Sequence, residues 1–188
     1  VVNHTSDEHD WFVDSRSSKD ADKRDYYWWR EGRDPEGTDL DPSNYDTPAG
    51  VDEVPPNNWK SFFGGPAWTY DGRTGEWYLH LFDEKQPDLN WRNEAVRNEV
   101  FEMMEWWFDH GIDGFRMDVI NLISKPEGLP DADPDDGIRT IDRVTNGPRI
   151  HEYLGEMRDR VLDEDLLPVG EMIGDEIPME TARRYTSH

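Results

Sequence analysis

The chain contains no cysteine, which excludes disulfide scaffolds and thiolate metal centres outright. It has no apolar run of membrane-spanning length. It is also short of cations: 20 Lys and Arg stand against 43 Asp and Glu in 188 residues, a formal net charge of −23. Nucleic acid and anionic membrane surfaces repel such a polyanion, so neither is expected as a partner. A cytoplasmic protein is the expectation, although the lack of a signal peptide at the start carries little weight in a sequence that reads as a fragment. The opening VVNHTS has neither Met nor a helix cap, so the sequence reads as a fragment cut at the end of a strand.

Aromatic residues, by contrast, are plentiful. Nine Trp, seven Tyr and seven Phe argue for a folded chain despite a mean hydropathy of −0.99. The acidic residues are spread along the whole length instead of forming one tail. That distribution suits a carboxylate-rich surface of the kind adapted to high salt.

Residues 1–4 read as the tail of a buried strand, and the stretch from Thr5 to about Pro66 is polar and irregular. Within it, DPEGTDLDPSNYDTPAGVDEVPP (34–56) reads as a solvated insertion. AWTYDGRTGEWYLHLF (67–82) places two aromatic runs around a DGRTG turn and predicts a hairpin. A long helix is predicted over 92–110, with Val96, Val100, Met103, Met104, Trp107 and Phe108 at spacings of three and four. GFRMDVI then reads as a buried strand and 146–162 as a second helix. LLPVGEMI (166–173) reads as another strand, and 178–186 opens a third helix. This alternation predicts an α/β fold, either a parallel barrel or a doubly wound sheet.

Each of the two predicted strands ends in a carboxylate, Asp118 after GFRM and Glu171 after PVG. In parallel α/β folds the C-terminal strand ends line the active site, and paired carboxylates there suggest glycoside cleavage. One carboxylate attacks as an anion while the other delivers a proton to the leaving oxygen. Arg116, two residues before Asp118 on the same strand face, would keep Asp118 ionised and oriented. Taken alone, this Arg–Asp pair is better read as a structural ion pair at a strand end.

Four motifs taken together resemble the α-amylase superfamily, glycoside hydrolase family 13, in its oligo-1,6-glucosidase-like branch. VVNHTSDEHDWF resembles the first signature region, QPDLN the branch marker, GFRMDVIN the nucleophile region and VGEM the acid region. The resemblance implies a partial (β/α)8 TIM barrel with an inserted irregular domain after the third strand. It assigns residues 1–4 to the end of barrel strand 3, 5–85 to the insertion, and 86–188 to barrel helix 3 through the start of helix 5. It implies that Asp118 is the nucleophile and Glu171 the general acid/base. His4 and Arg116 would contact the sugar, with Phe82 and Gln86 as further lining. Val119, directly after the nucleophile, is the residue type that accompanies α-1,6 preference in this branch and would shape the neighbouring subsite. Neither a cofactor nor a metal is implied, and the expected partner is a small oligosaccharide or disaccharide. The family's third catalytic carboxylate, which follows an Asn-His pair, is not in this sequence, so the segment alone is expected to be inactive. Pro168 stands where the family often carries Thr, which removes one backbone donor beside VGEM.

The implied activity is that of a retaining α-glucosidase, with the two carboxyl groups roughly 5–5.5 Å apart. Glucosyl transfer or isomerisation on the same scaffold is the alternative, as is trehalose-phosphate hydrolysis, for which no basic phosphate contact is evident. A non-catalytic relative would be expected to lack the carboxylates. Other signals are weaker. DADPDDG (131–137) departs from a calcium loop in its displaced Gly, its intruding Pro and its Asp142 in place of the terminal Glu. His151-Glu152 lacks a second His and reads as a helix-surface pair, and Asn3-His4-Thr5 is poorly placed for a glycan. Trp28, Trp29, Trp59, Trp68 and Trp77 could stack on sugars but are better read as core.

Overall fold

A computed structural model of the chain describes residues 3–162, 167–174 and 177–186. The element order is α1 (Asp10–Ser15), β1 (Trp29–Arg30), β2 (Trp68–Asp71), β3 (Glu76–Leu79), α2 (Glu94–Asp109), β4 (Arg116–Met117), α3 (Thr140–Val144), α4 (Ile150–Arg160), β5 (Val169–Gly170) and α5 (Met179–Tyr185). The chain divides into two compact units, one of residues 4–90 with 130–140 and the other of 1–3, 91–129 and 141–188. Val1 and Val2, from the expected strand tail, lie outside the described residues.

In the first unit the expected hairpin forms from β2 and β3, and β1 joins its other side in the order β1-β3-β2. Both pairings are antiparallel. Trp28, Trp29, Trp59, Trp68 and Trp77 are buried, so these rings form the core. Their indole N–H groups still find acceptors, as burial of a polar tip requires. Trp28 donates to the Leu89 carbonyl (3.1 Å), and Trp68 donates to Asn57 Oδ1 (2.7 Å). The six-residue helix α1 was not foreseen; the His9 ring accepts from the Trp11 N–H and caps it.

The 34–56 segment is tethered, contrary to the expectation of a fully solvated insertion. Near its end Val54 pairs with Arg33, the residue just before the segment, and Val54 is completely buried. Beside it, Glu53 Oε1 accepts from the Trp77 indole at 3.1 Å. Residues 130–140 are latched to the same unit. The Asp131 carboxylate takes a two-pronged contact from Arg33 (2.8 and 3.0 Å) and accepts from the Asn58 N–H (2.8 Å). The acidic run thus contributes a latch for Arg33.

In the second unit α2 is capped by Asn93, whose Oδ1 accepts from the Ala95 N–H at 2.9 Å. Its buried residues are Val96, Arg97, Val100, Phe101 and Met104. The predicted stripe runs further, but Trp107 is 45 % exposed. The reason lies in α4, whose polar contacts fall on residues 97–105. Arg97 Nε donates to Glu156 (2.6 Å), and Arg160 donates to Glu105 (3.0 Å) and Asn98 (2.7 Å). Helix α4 buries Ile150, Tyr153, Leu154 and Met157, and Val161 at its C-cap is buried as well, so all five residues of the face expected from the sequence are covered. The last turn of α2 lies beyond this seam.

Candidate active site

Strand β4 pairs in parallel with β5, Arg116 opposite Val169 and Met117 opposite Gly170. Three N–H groups of the incoming β5 segment donate to the β4 segment. Leu167 donates to Asp113 O (2.9 Å), Val169 to Phe115 O (2.8 Å) and Glu171 to Met117 O (2.9 Å). Gly114 permits this approach, because a Cβ there would fall 2.2 Å from the Leu167 carbonyl oxygen. Donors alternate along β5, so the missing N–H of Pro168 falls on the side away from β4 and costs this ladder nothing.

The pairing brings the two carboxylates to neighbouring strand ends. The Arg116 guanidinium serves both: Nη1 bonds the Asp118 carboxylate, and Nη2 lies 2.8 Å from Glu171 Oε1. The expectation that Arg116 and Asp118 stand in a buried strand is corrected here. The Arg116, Asp118 and Glu171 side chains are 55, 48 and 41 % exposed, and the strand holding Arg116 is only two residues long. Directly after Asp118 the backbone turns into the left-handed region at Val119 (φ 44°, ψ 43°) and enters a 3-10 turn, Ile120–Leu122. A β-branched residue there is a conformational outlier. Val119 is 5 % exposed, so its side chain is packed inward within this unit.

The remaining candidates gather in the first unit. Gln86 Nε2 donates to His4 Nε2 at 3.0 Å, and the His4 and Phe82 rings lie 5.4 Å apart. His4 bridges to Asp88, which is completely buried and accepts the Leu81 N–H at 3.0 Å. Phe62 and Phe63 add rings beside Phe82, and Phe63 is strongly exposed. Sequence reasoning passed over that pair, although SFFGG, two aromatics before a Gly turn, was a visible signal. It also passed over Asn121 beside the carboxylates. Asn3 is buried and accepts from Lys125 Nζ (3.0 Å), which leaves no room for a glycan. Among the described residues no group of three or more His, Asp or Glu is arranged to hold a metal ion.

Comparison with known proteins covers the whole chain. The α-amylase catalytic-domain model matches residues 1–188. An oligo-1,6-glucosidase of Halalkalibacterium halodurans is 54 % identical over 99 % of this chain and 30 % of its own length. The crystal structure of Bacillus licheniformis trehalose-6-phosphate hydrolase superposes with a TM-score of 0.81 at 45 % identity, covering 98 % of this chain and 30 % of that one. The trehalulose synthase of Pseudomonas mesoacidophila MX-45 superposes with a TM-score of 0.77 at 42 % identity, covering 92 % of this chain and 28 % of that one. The chain therefore spans about 30 % of the length of the curated relatives it matches. Four motifs in order, a shared guanidinium on two strand-end carboxylates and a full-length family match lead to one conclusion: this chain belongs to the α-amylase family, glycoside hydrolase family 13.

Proposed function

We propose that the protein is a retaining α-glucosidase acting on short α-glucosides, with α-1,6-linked isomaltose-type sugars as first choice. The observation that carries this reading is the single Arg116 guanidinium shared by Asp118 and Glu171 across two paired parallel strands. In the first step an Asp118 oxygen attacks the anomeric carbon while the bond from that carbon to the leaving oxygen breaks. Glu171 gives its proton to that oxygen. Water then attacks the same carbon, Glu171 takes back a proton, and Asp118 leaves as a carboxylate. Two inversions give net retention.

His4, Phe82 and Gln86 are proposed as contacts to the glycosyl unit. Their mutual hydrogen bond and ring contact already order them as a group. In this reading 5–85 corresponds to an insertion after the third barrel strand, and 1–4 with 86–188 to part of a (β/α)8 barrel. The α-1,6 preference rests on Val119 and on the similarity to oligo-1,6-glucosidases. The acidic balance supports work in a cytoplasm of high salt.

The test is made in a full-length enzyme containing this segment. Asp118→Asn is expected to abolish turnover, because a neutral amide does not attack the anomeric carbon. Glu171→Gln is expected to spare substrates whose leaving groups need little protonation. Near-normal activity of Asp118→Asn would remove the assignment. A second reading, glucosyl transfer or isomerisation, is favoured by the similarity to a trehalulose synthase. Product analysis on sucrose and isomaltose separates the two, glucose release supporting hydrolysis and a rearranged disaccharide supporting isomerisation.

A further inference from the structure

We propose that Asn121 is a positioning residue that fixes the spacing of the two catalytic carboxylates, a role resting on the assignment of Asp118 and Glu171 above. The backbone ladder between the two segments reaches its last rungs at the carboxylates themselves. The Glu171 N–H donates to Met117 O (2.9 Å), and the Ile120 N–H donates to Glu171 O (3.0 Å). Beyond that point the first segment has left strand geometry, because Val119 turns left-handed and Ile120–Leu122 winds into a 3-10 turn. A backbone rung to Ile173 is replaced by a side chain. Asn121 Nδ2 donates to Ile173 O at 2.8 Å, and the Ile173 N–H donates to Asn121 Oδ1 at 3.2 Å.

A carboxamide carries one donor group and one acceptor in a plane, as a peptide unit does, so this two-way exchange imitates a rung of the ladder. Asn121 is completely buried, and its own carbonyl accepts the Asn146 N–H at 2.8 Å. Both ends of the side chain and its backbone are thus committed. The clamp holds a residue three positions after Asp118 to one two positions after Glu171. Without it, the Ile120 bond to Glu171 O is the last backbone tie, among the described residues, that resists sliding of the stretch after Glu171 past Asp118. Glu171 must meet the leaving oxygen while Asp118 meets the anomeric carbon, so sliding acts first on proton delivery. That consequence separates positioning from mere stability.

The experiment compares Asn121→Ala and Asn121→Asp with wild type in a full-length enzyme containing this segment. Substrates are glucosyl fluoride, 4-nitrophenyl α-glucoside and isomaltose, in order of increasing need for protonation. Asn121→Asp is nearly isosteric; it keeps the acceptor for the Ile173 N–H and loses the donor to Ile173 O, so it decides the matter if Asn121→Ala does not fold. The expected result is a loss of kcat that grows along the series, reaching on the order of 10²-fold on isomaltose, as for a misplacement of about 1 Å. The loss on glucosyl fluoride should be much smaller, with KM changing little. A loss by one common factor on all three substrates, or no loss, overturns the proposal, since a lowered folded fraction acts equally on every substrate. Asp118→Asn is assayed alongside. If it keeps turnover, the glucosidase reading has failed; if it is inactive while the Asn121 variants keep wild-type ratios, the positioning role alone has failed.

Discussion

At the residue scale, the conformation of Val119 is the unusual feature of the site. A non-Gly residue at φ 44° costs of order 1–3 kcal/mol, and a β-branched one is a clear outlier. It persists because the flanking bonds from Glu171 and Asn121 hold the turn in place. Since the side chain is packed inward, substitution changes the turn that carries Asp118 as well as the local shape. Val119→Ala in a full-length enzyme is expected to shift the ratio of isomaltose to maltose hydrolysis toward maltose by about 10–200-fold, the range of a small change in a pocket. An unchanged ratio would remove the basis for naming the α-1,6 linkage. His80 offers a second test, on stability. Its Nδ1–H donates to Phe82 O (3.3 Å), so Nε2 accepts from Thr69 Oγ1 (2.9 Å) and the ring is held neutral. Burial lowers its proton affinity below the ordinary value of 6.5, so the folded chain binds fewer protons there than the unfolded chain. Stability should therefore fall as pH drops below about 6.5. Thermal midpoints between pH 7.5 and 5 should decline for the wild type and decline less for His80→Gln.

At the element scale, glycines decide where segments can touch. Gly147 lies so close to the Ser124 backbone that a Cβ would come within 1.9 Å of its carbonyl oxygen, and Gly114 meets Leu167 in the same way at 2.2 Å. Gly147→Ala and Gly114→Ala should each destabilise by about 1–3 kcal/mol, because backbone cannot yield as a flexible side-chain tip can. Gly155, inside α4, has nothing within 4 Å of its would-be Cβ. Gly155→Ala should instead stabilise by about 0.5–1 kcal/mol through helix propensity and a less disordered unfolded state. Denaturant titrations of the three variants provide the check. Stabilisation by Gly114→Ala or Gly147→Ala would refute the close approaches, and destabilisation by Gly155→Ala would refute the open space beside α4. The seam between α2 and α4 follows a similar logic of satisfied groups. Arg97, nearly buried, bonds Glu156, the Trp91 carbonyl (2.9 Å) and the Arg92 carbonyl (3.2 Å), so its charge is not stranded.

At the scale of the whole molecule, charge and chain length set the behaviour. A net charge of −23 repels itself, and salt screens that repulsion down to a Debye length of about 3 Å at 1 M. The thermal midpoint of a full-length protein containing this segment should rise between low and molar KCl; a flat profile counts against a salt-adapted surface. The roughly half-exposed Arg116, Asp118 and Glu171 also bear on function. Electrostatic stabilisation of a developing charge is strong where water is excluded, and these groups lack that shelter within the 188 residues. A full barrel takes about 250 residues. We expect the 188-residue chain alone to show no Asp118-dependent turnover of an aryl α-glucoside. Clear turnover by a cooperatively folded preparation would show that the segment suffices.

Sequence alone determined a great deal: the hairpin, α2, α4 and α5, the two short strands at GFRM and PVG, and the carboxylates at their ends. These follow from periodicity, turn residues and motif spacing, all of which act over a few residues. The burial of the tryptophans was equally legible, because rings of that size in a small unit have few other places to go. The extents of the elements were not. GFRMDVI reads as one strand, yet β4 stops at Met117 because bonds from distant Glu171 and Ile173 stabilise the left-handed turn at Val119. The latch of Asp131 on Arg33 spans 98 positions in the chain, and the Asn121 clamp spans 52. No local pattern encodes such a partner. Tertiary structure decided those features because a hydrogen bond between distant residues depends on where the fold brings its groups, not on their neighbours in sequence.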